Sequence, residues 1–578
     1  MNHNLIDTAL NALGQMGKLA RATTRRGLVL ALLFLTAGGM LSRAAYLQVV
    51  HKDFLQDQGD DRYLRTVEVS AHRGMILDRN GEPLAVSSPV DSIWAYPPEL
   101  LQQRERWPKL AAVLGISTVE LEQKLAGRET RQFVYLQRHL APSTAQQIMN
   151  LKISGIHAQR EYRRYYPDAE VTSQLLGFTD IDDAGQEGLE KTFDAQLRGI
   201  PGQKRVIQDR LGRVVEDVES LRAPQPGQVL TLSIDRRLQY LAYRALKTAV
   251  LENKASAGAA VIVDAHSGEI LAMVNQPAGN PNNRNELHGD LLRNRTITDV
   301  YEPGSTIKPF TAVMGLESGK WTPSTLVNTA PMKIGRYTVR DTHNYGTIDL
   351  THVISKSSNV GVTKIALSMP AEKLWRLYRN LGIGAVTGIG LIGEQTGVLR
   401  PFSKWAEIGH ANHSFGYGFS LTIVQLAQAY SVLAADGMRR PLTLIKREQP
   451  LGPADEQRVM AAAAVQKVRA MMEEVVTKEG TGFKASVPGY RVAGKTGTSR
   501  KIVGGRYTTK YFALFAGMAP ASNPRLVMAI LIDEPKAGAY YGGTVAAPVF
   551  GQTMANALRI LNITPDNLPT MKIAGAAP

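Results

Sequence analysis

Ser305-Thr306-Ile307-Lys308 sets a hydroxyl and an amine three residues apart. On a helix, residues i and i+3 share a face, with β-carbons about 5–6 Å apart, so the two groups can meet. Serine is a poor nucleophile until a neighbour takes its proton. A lysine does so only when burial and nearby positive charge lower its pKa. Glu302-Pro303-Gly304 leads in, and a helical pattern runs on to about Leu316. Ser305 is thereby expected near a helix N-terminus, where free backbone N–H groups suit developing negative charge.

Two further motifs follow in order. Ser357-Ser358-Asn359, after Lys356, offers a hydroxyl and an amide two residues apart, able to enter one cleft from a loop or helix end. The hydroxyl can relay a proton and the amide can hold a peptide bond. Lys495-Thr496-Gly497-Thr498 reads as strand. Period 2 puts the Thr496 and Thr498 hydroxyls on one face, and Gly497 lets a peptide lie against the strand backbone. Lys495 supplies positive charge for an anionic terminus. A backbone N–H here, with that of Ser305, would form an oxyanion hole. A lone Ser-x-x-Lys is ordinarily a solvated helix face, and a lone Lys-Thr-Gly a turn or strand end. The ordered triple is far more specific. Its spacing leaves room for a helical subdomain between Ser357 and Lys495. Glu407, His410 and His413 also share a helical spacing, but Ser-Lys chemistry needs no metal, and surface or loop residues are the simpler reading.

The elements that must position these motifs follow from the flanking pattern. Strands are expected at 229–236, 259–263, 269–273, 491–498, 511–517 and 526–533, with helices over 238–251 and 422–435. Thr422 and Gln425 are spaced as a capping box, and Gly437 lies just past the helix end. Ala223-Pro-Gln-Pro-Gly227 marks a boundary. Upstream, Arg73 to Gly81 reads as a strand entering an Asn-Gly turn, with a second strand through Leu84 to Val86. Gly185 to Glu190 opens a short helical piece.

The run Gly27 to Ser42 is free of charge, and Ala44 to Val50 extends its apolar pattern beyond Arg43. Lys18, Arg21, Arg25 and Arg26 sit just upstream, opposed only by Asp7. The bias of basic residues predicts a single anchor with residues 1–26 in the cytoplasm and the bulk outside. A cleaved signal peptide is the rival, but no small-x-small site follows the run directly and the charged leader is long. The chain has 578 residues, enough for several domains. Its cysteine count of 0 excludes disulfides, thiol nucleophiles and Cys-based zinc sites. A formal net charge of +16 suits anionic wall polymers or lipid headgroups. The basic residues are scattered, which argues against nucleic acid as a partner.

The three motifs resemble those of penicillin-binding proteins and serine β-lactamases. The resemblance covers nearly the whole chain. Arg73–Gly81, Arg164-Tyr-Tyr-Pro167 and Gly185–Glu190 look like pedestal motifs of class B penicillin-binding proteins, and Glu82–Ser87 with Ile93-Trp94-Ala95 like the division-specific (septal) branch. The resemblance implies an α/β (α+β) fold with a cytoplasmic tail (1–26), a transmembrane anchor (27–50) and a non-catalytic, dimerisation-type pedestal (51–225). A transpeptidase domain (229–560) with an antiparallel sheet and helical subdomain and a C-terminal tail (561–578) complete it.

By the same resemblance, the activity is a periplasmic peptidoglycan D,D-transpeptidase, anchored in the inner membrane and working in septal cell-wall synthesis. Ser305 would attack the bond between two terminal D-alanines of a stem peptide. Lys308 would be the base, Ser357 the relay and Asn359 a ligand for the acyl-side amide. Lys495, Thr496, Gly497 and Thr498 would receive the terminal carboxylate, and Tyr511, Tyr540 and Tyr541 would wall the cleft. β-Lactams would acylate Ser305. No cofactor or metal is implied. The glycosyltransferase motif Glu-Asp-x-x-Phe-x-x-His is absent, so a polytopic membrane glycosyltransferase and other division proteins are expected as partners. Two alternatives share the sequence: a catalytically dispensable scaffold of the division complex, and a β-lactamase or β-lactam sensor. The anchor and pedestal weigh against the latter, as does the missing Glu-x-x-x-Asn loop.

Overall fold

The computed structural model describes residues 4–51, 64–208 and 214–568. A single helix, Asn4–Ala45, continues as a short π-helix over Tyr46–Val50. Among the described residues one stretch, Arg25–Val50, is long and apolar enough to cross a membrane, with mean hydropathy 1.8. Part of the expected 51–225 region, and 569–578 of the expected tail, lie outside the described residues.

Beyond the helix, Leu64–Val69, Gly202–Gln208 and Val214–Arg222 form a three-stranded antiparallel sheet. A second sheet is built on the long strand Pro83–Ala95, which pairs with Ile76–Leu77 across the expected hairpin turn. It also pairs with Val134–Leu140 and Ile156–Tyr165. Inward residues of this sheet, such as Ile93 and Ile156, share a core with Leu110, Leu121 and Ile148 from three short helices. The Asn-Gly turn closes because Asp78 accepts from the N–H groups of Asn80 and Glu82.

Three segments remote in sequence meet in a buried ionic knot. Glu190, fully buried, accepts from Arg73 Nε at 2.8 Å and Arg164 Nε at 2.6 Å. Arg73 also reaches Asp194 at 2.7 Å, and Arg164 Nη1 donates to Gly74 O. Charges so placed are tolerable only because each is paired and hydrogen-bonded.

The C-terminal half is a five-stranded antiparallel sheet in the order Ile270–Gln276, Ala257–Asp264, Leu526–Asp533, Arg506–Ala519, Ala493–Val503. Ala257–Asp264 and Leu526–Asp533 are buried along their whole length, which is why they read as continuous apolar runs rather than alternating ones. Helices Arg236–Glu252 and Ala547–Ile560 cover one face. Ile423–Ala434, buried at every residue, packs against the other. Its capping box is formed as the spacing predicts, with Thr422 and Gln425 bonding reciprocally. The expectation of a strand over 229–236 is corrected. The strand is shortened to Leu230–Thr231, parallel with Ile76–Leu77, followed by a single bridge from Leu232 to Ile445, while Asp235 caps the next helix, accepting from Arg237 N.

Candidate active site

Ser305 lies between the sheet and the helical subdomain. It sits not on an α-helix, as its spacing suggests, but in a 3₁₀ turn, Gly304–Ile307. The α-helix proper starts at Lys308 and runs to Glu317, with Pro309 fixing its first turn. Gly304 has φ of 53°, a conformation that would strain other residues and that tightens the entry. In a 3₁₀ turn residues i and i+3 eclipse, so Ser305 and Lys308 still share a side. The turn is pinned by Thr306 Oγ1 donating to Pro303 O at 2.8 Å and by Tyr430 OH donating to Thr306 O at 2.7 Å. Ser305 is half-buried and Lys308 completely buried.

The Lys308 amine reaches across to the second motif. Nζ donates to Ser357 O and to Asn359 Oδ1, the latter at 2.7 Å, and lies 3.1 Å from Ser357 Oγ. Burial, then the nearby Lys495 cation, hold the Lys308 pKa well below the ordinary lysine value. A neutral amine has two N–H groups and one lone pair. Its two N–H groups are matched by two acceptors, and the third contact is a hydroxyl able to donate into the lone pair. The Asn359 amide is oriented for this, since its Nδ2 donates to Arg340 O.

Ser357 holds a left-handed conformation, φ 62°, unusual for a residue with a side chain. It precedes Ser358, the N-cap of helix Asn359–Leu367, whose side chain accepts from Gly361 N at 2.9 Å. The Asp341 carboxylate completes the corner. It accepts from the Ser358 hydroxyl and from the N–H groups of Asn359 and Val360. A carboxylate at a helix N-terminus satisfies donors the helix leaves unpaired.

The third motif lies on Ala493–Val503, the edge strand, so its outer N–H groups are unclaimed by the sheet. Lys495 and Gly497 share a face by the strand's period. A β-carbon at Gly497 would meet Thr306 Cγ2 at 2.7 Å and Pro303 O at 3.0 Å. Glycine is required here by the Ser305 turn pressing on the strand, and not only for room beside a bound peptide. Thr496 and Thr498 take the other face: Thr496 Oγ1 lies 2.9 Å from Thr481 Oγ1, and Thr498 Oγ1 accepts from Gly542 N at 3.1 Å. Lys495 is fully buried, and that burial brings its pKa down to about 7.

Tyr511, Tyr540 and Tyr541 form a stacked row beside this strand, with ring centroids 4.2 and 4.5 Å apart in succession. Tyr541 directly precedes Gly542, the residue bonded to Thr498. Glu407, His410 and His413 fall on helix Glu407–Ser414, but Glu407 is exposed while both histidines are buried. His413 stacks on Trp405 at 3.8 Å and engages Gly409 O through Nδ1. Among the described residues no group of three His, Cys, Asp or Glu could hold a metal.

Sequence reasoning missed Asp341, Thr481 and the part played by Glu302. The Glu302 carboxylate accepts from Gly418 N at 2.7 Å and from Tyr507 OH at 3.0 Å, tying the Ser305 turn to the hairpin after the edge strand. Burial raises its pKa.

Residues 258–555 match the penicillin binding protein transpeptidase domain, and residues 68–232 the penicillin-binding protein dimerisation domain. The chain is 45% identical over 552 residues to the peptidoglycan D,D-transpeptidase FtsI of Escherichia coli, covering 94% of this chain and 93% of that protein. It is 43% identical to the probable peptidoglycan D,D-transpeptidase PbpC of Pseudomonas aeruginosa, covering 94% and 96%. Among solved structures, the apo TP domain of Burkholderia pseudomallei penicillin-binding protein 3 aligns with TM-score 0.53 and 43% identity, covering 58% of this chain and 98% of that one.

Proposed function

From the premise that this chain belongs to the penicillin-binding protein transpeptidase family, we propose how its own residues carry the reaction. It is a division-type peptidoglycan D,D-transpeptidase that joins stem peptides through a serine acyl-enzyme. The observation carrying the residue assignment is the buried Lys308 amine, held by Ser357 and Asn359 beside Lys495.

Ser305 Oγ attacks the carbonyl carbon of the bond between the two terminal D-alanines as its proton passes to the neutral Lys308 amine. The N–H of Ser305 and one on the edge strand receive the oxyanion. As the C–N bond breaks, Lys308 returns the proton through the Ser357 hydroxyl to the departing D-alanine nitrogen. The acyl-enzyme remains. An amine from a neighbouring stem peptide then attacks it, giving up a proton along the same route, and releases Ser305 with the cross-link made. Asn359 holds the acyl-side amide, Lys495, Thr496 and Thr498 receive the carboxylate, and the tyrosine row walls the cleft. β-Lactams acylate the same serine.

The chain is a single-pass membrane protein, and the basic residues before the span support a cytoplasmic N-terminus and a periplasmic catalytic domain. In this reading residues 51–225 are the pedestal and 229–560 the transpeptidase domain, working beside a membrane glycosyltransferase. Fluorescent penicillin should label the purified protein one-for-one, and Ser305→Ala should abolish labelling. Labelling that survives the substitution would refute the nucleophile assignment.

A further inference from the structure

The helix that crosses the membrane is much longer than the membrane. It is unbroken over Asn4–Ala45, yet only its part from Arg25 onward belongs to the apolar span. At about 100° per residue, the preceding stretch separates into two faces. Ala9, Leu10, Leu13 and Met16 fall on one side, and Asp7, Asn11 and Arg25 on the other. Leu10, Leu13 and Met16 are 62%, 66% and 68% exposed, so among the described residues nothing covers that side.

We propose that residues 4–24 lie along the membrane surface as an amphipathic helix, with Leu10, Leu13 and Met16 in the acyl boundary and the basic residues on anionic phospholipid headgroups. Three features favour lipid over a second helix as the occupant. The apolar arc spans about 120° at 100° per residue, wider than the narrow seam of a coiled coil. In the sequence the basic residues Lys18, Arg21, Arg25 and Arg26 gather toward the span, where headgroups of opposite charge are nearest. The segment is also continuous with the span, so the bilayer surface is within reach without any encounter. Docking requires a bend between Thr24 and Gly27, and glycine's wide backbone freedom suits Gly27 to such a bend.

The cysteine count of 0 makes the test direct. Full-length protein carrying Leu13→Cys or Asn11→Cys is labelled with an environment-sensitive fluorophore and reconstituted in phosphatidylglycerol vesicles containing spin-labelled acyl chains. The label at position 13 should be strongly quenched and that at position 11 only weakly. Replacing Lys18 and Arg21 by Gln should lower the docked-to-undocked ratio about fivefold per charge removed, and phosphatidylcholine vesicles should reproduce that loss. Equal, weak quenching at both positions would overturn the proposal. So would a label at position 13 that is shielded from water, unquenched by lipid and dependent on protein-to-lipid ratio, because a second copy would then cover the face.

Discussion

Lys308 Nζ stands 3.1 Å from Ser357 Oγ, inside a site from which the amine is completely excluded from solvent. This sets the sign of the pH dependence. In the proposed mechanism the neutral amine acts as the base, and burial with the Lys495 cation lowers its pKa. The acylation rate with a penicillin should therefore rise with pH as Lys308 loses its proton, and level off well below the ordinary lysine range. Lys308→Arg stays protonated, so its rate should be flat with pH and lower by about 10²–10⁴-fold. Stopped-flow acylation across pH checks this, and a wild-type rate that falls as Lys308 deprotonates would contradict it.

Lys495 predicts the opposite trend for binding. Its pKa is brought to about 7 by burial alone, and a carboxylate arriving beside it favours the charged form. Binding above pH 7 must then take up a proton. In a Ser305→Ala background, affinity for a carboxylate-bearing β-lactam should weaken by about tenfold per pH unit above that point. Lys495→Arg, charged throughout, should lose the dependence. Calorimetry in buffers of different ionisation enthalpy measures the uptake, and no uptake at pH 8 would count against the role.

How much of this site the sequence announces depends on whether a motif is local. Ser305 and Lys308 are bound by i, i+3 geometry, and both the α-helical expectation and the observed 3₁₀ turn keep them on one side. Thr496 and Thr498 are similarly fixed by strand period. Asp341 has no such signature. It sits 18 residues before Asn359, and only the folded chain carries its carboxylate to the helix N-terminus. Glu302 stands three residues before Ser305 in sequence, yet its partners Gly418 and Tyr507 are 116 and 205 residues away. The strand expected at 229–236 is cut short to Leu230–Thr231 for a local reason: Asp235 serves the next helix as a cap rather than continuing the strand.

The left-handed Ser357 separates backbone from hydroxyl. Ser357→Gly relieves the φ of 62° and removes the hydroxyl, whereas Ser357→Ala removes the hydroxyl alone. If the hydroxyl relays the proton, both variants should lose acylation by a similar factor, about 10²-fold or more. Denaturant unfolding should find the glycine variant more stable than the alanine variant by about 1 kcal/mol. An alanine variant with the wild-type rate would remove the relay. A large rate difference between the two would shift the role to the Ser357 carbonyl, which also accepts from Lys308.

The knot around Glu190 makes a prediction about stability away from the cleft. Arg164 has Glu190 as its ionic partner, while Arg73 also has Asp194. Glu190→Gln therefore strands the Arg164 charge in a fully buried site, and removing one member of such a pair costs about 3–5 kcal/mol. Adding Arg164→Met to a Glu190→Leu variant should recover much of the loss, because the cost lies in the unpaired charge rather than in the missing bond. The Arg104–Glu122 pair is the control: both side chains are mostly exposed, and Glu122→Gln should leave the unfolding midpoint unchanged. Chemical unfolding of the four variants decides it. A Glu190→Gln protein as stable as wild type would mean that water or a neighbouring group compensates Arg164, and that these segments are held together by their apolar contacts alone.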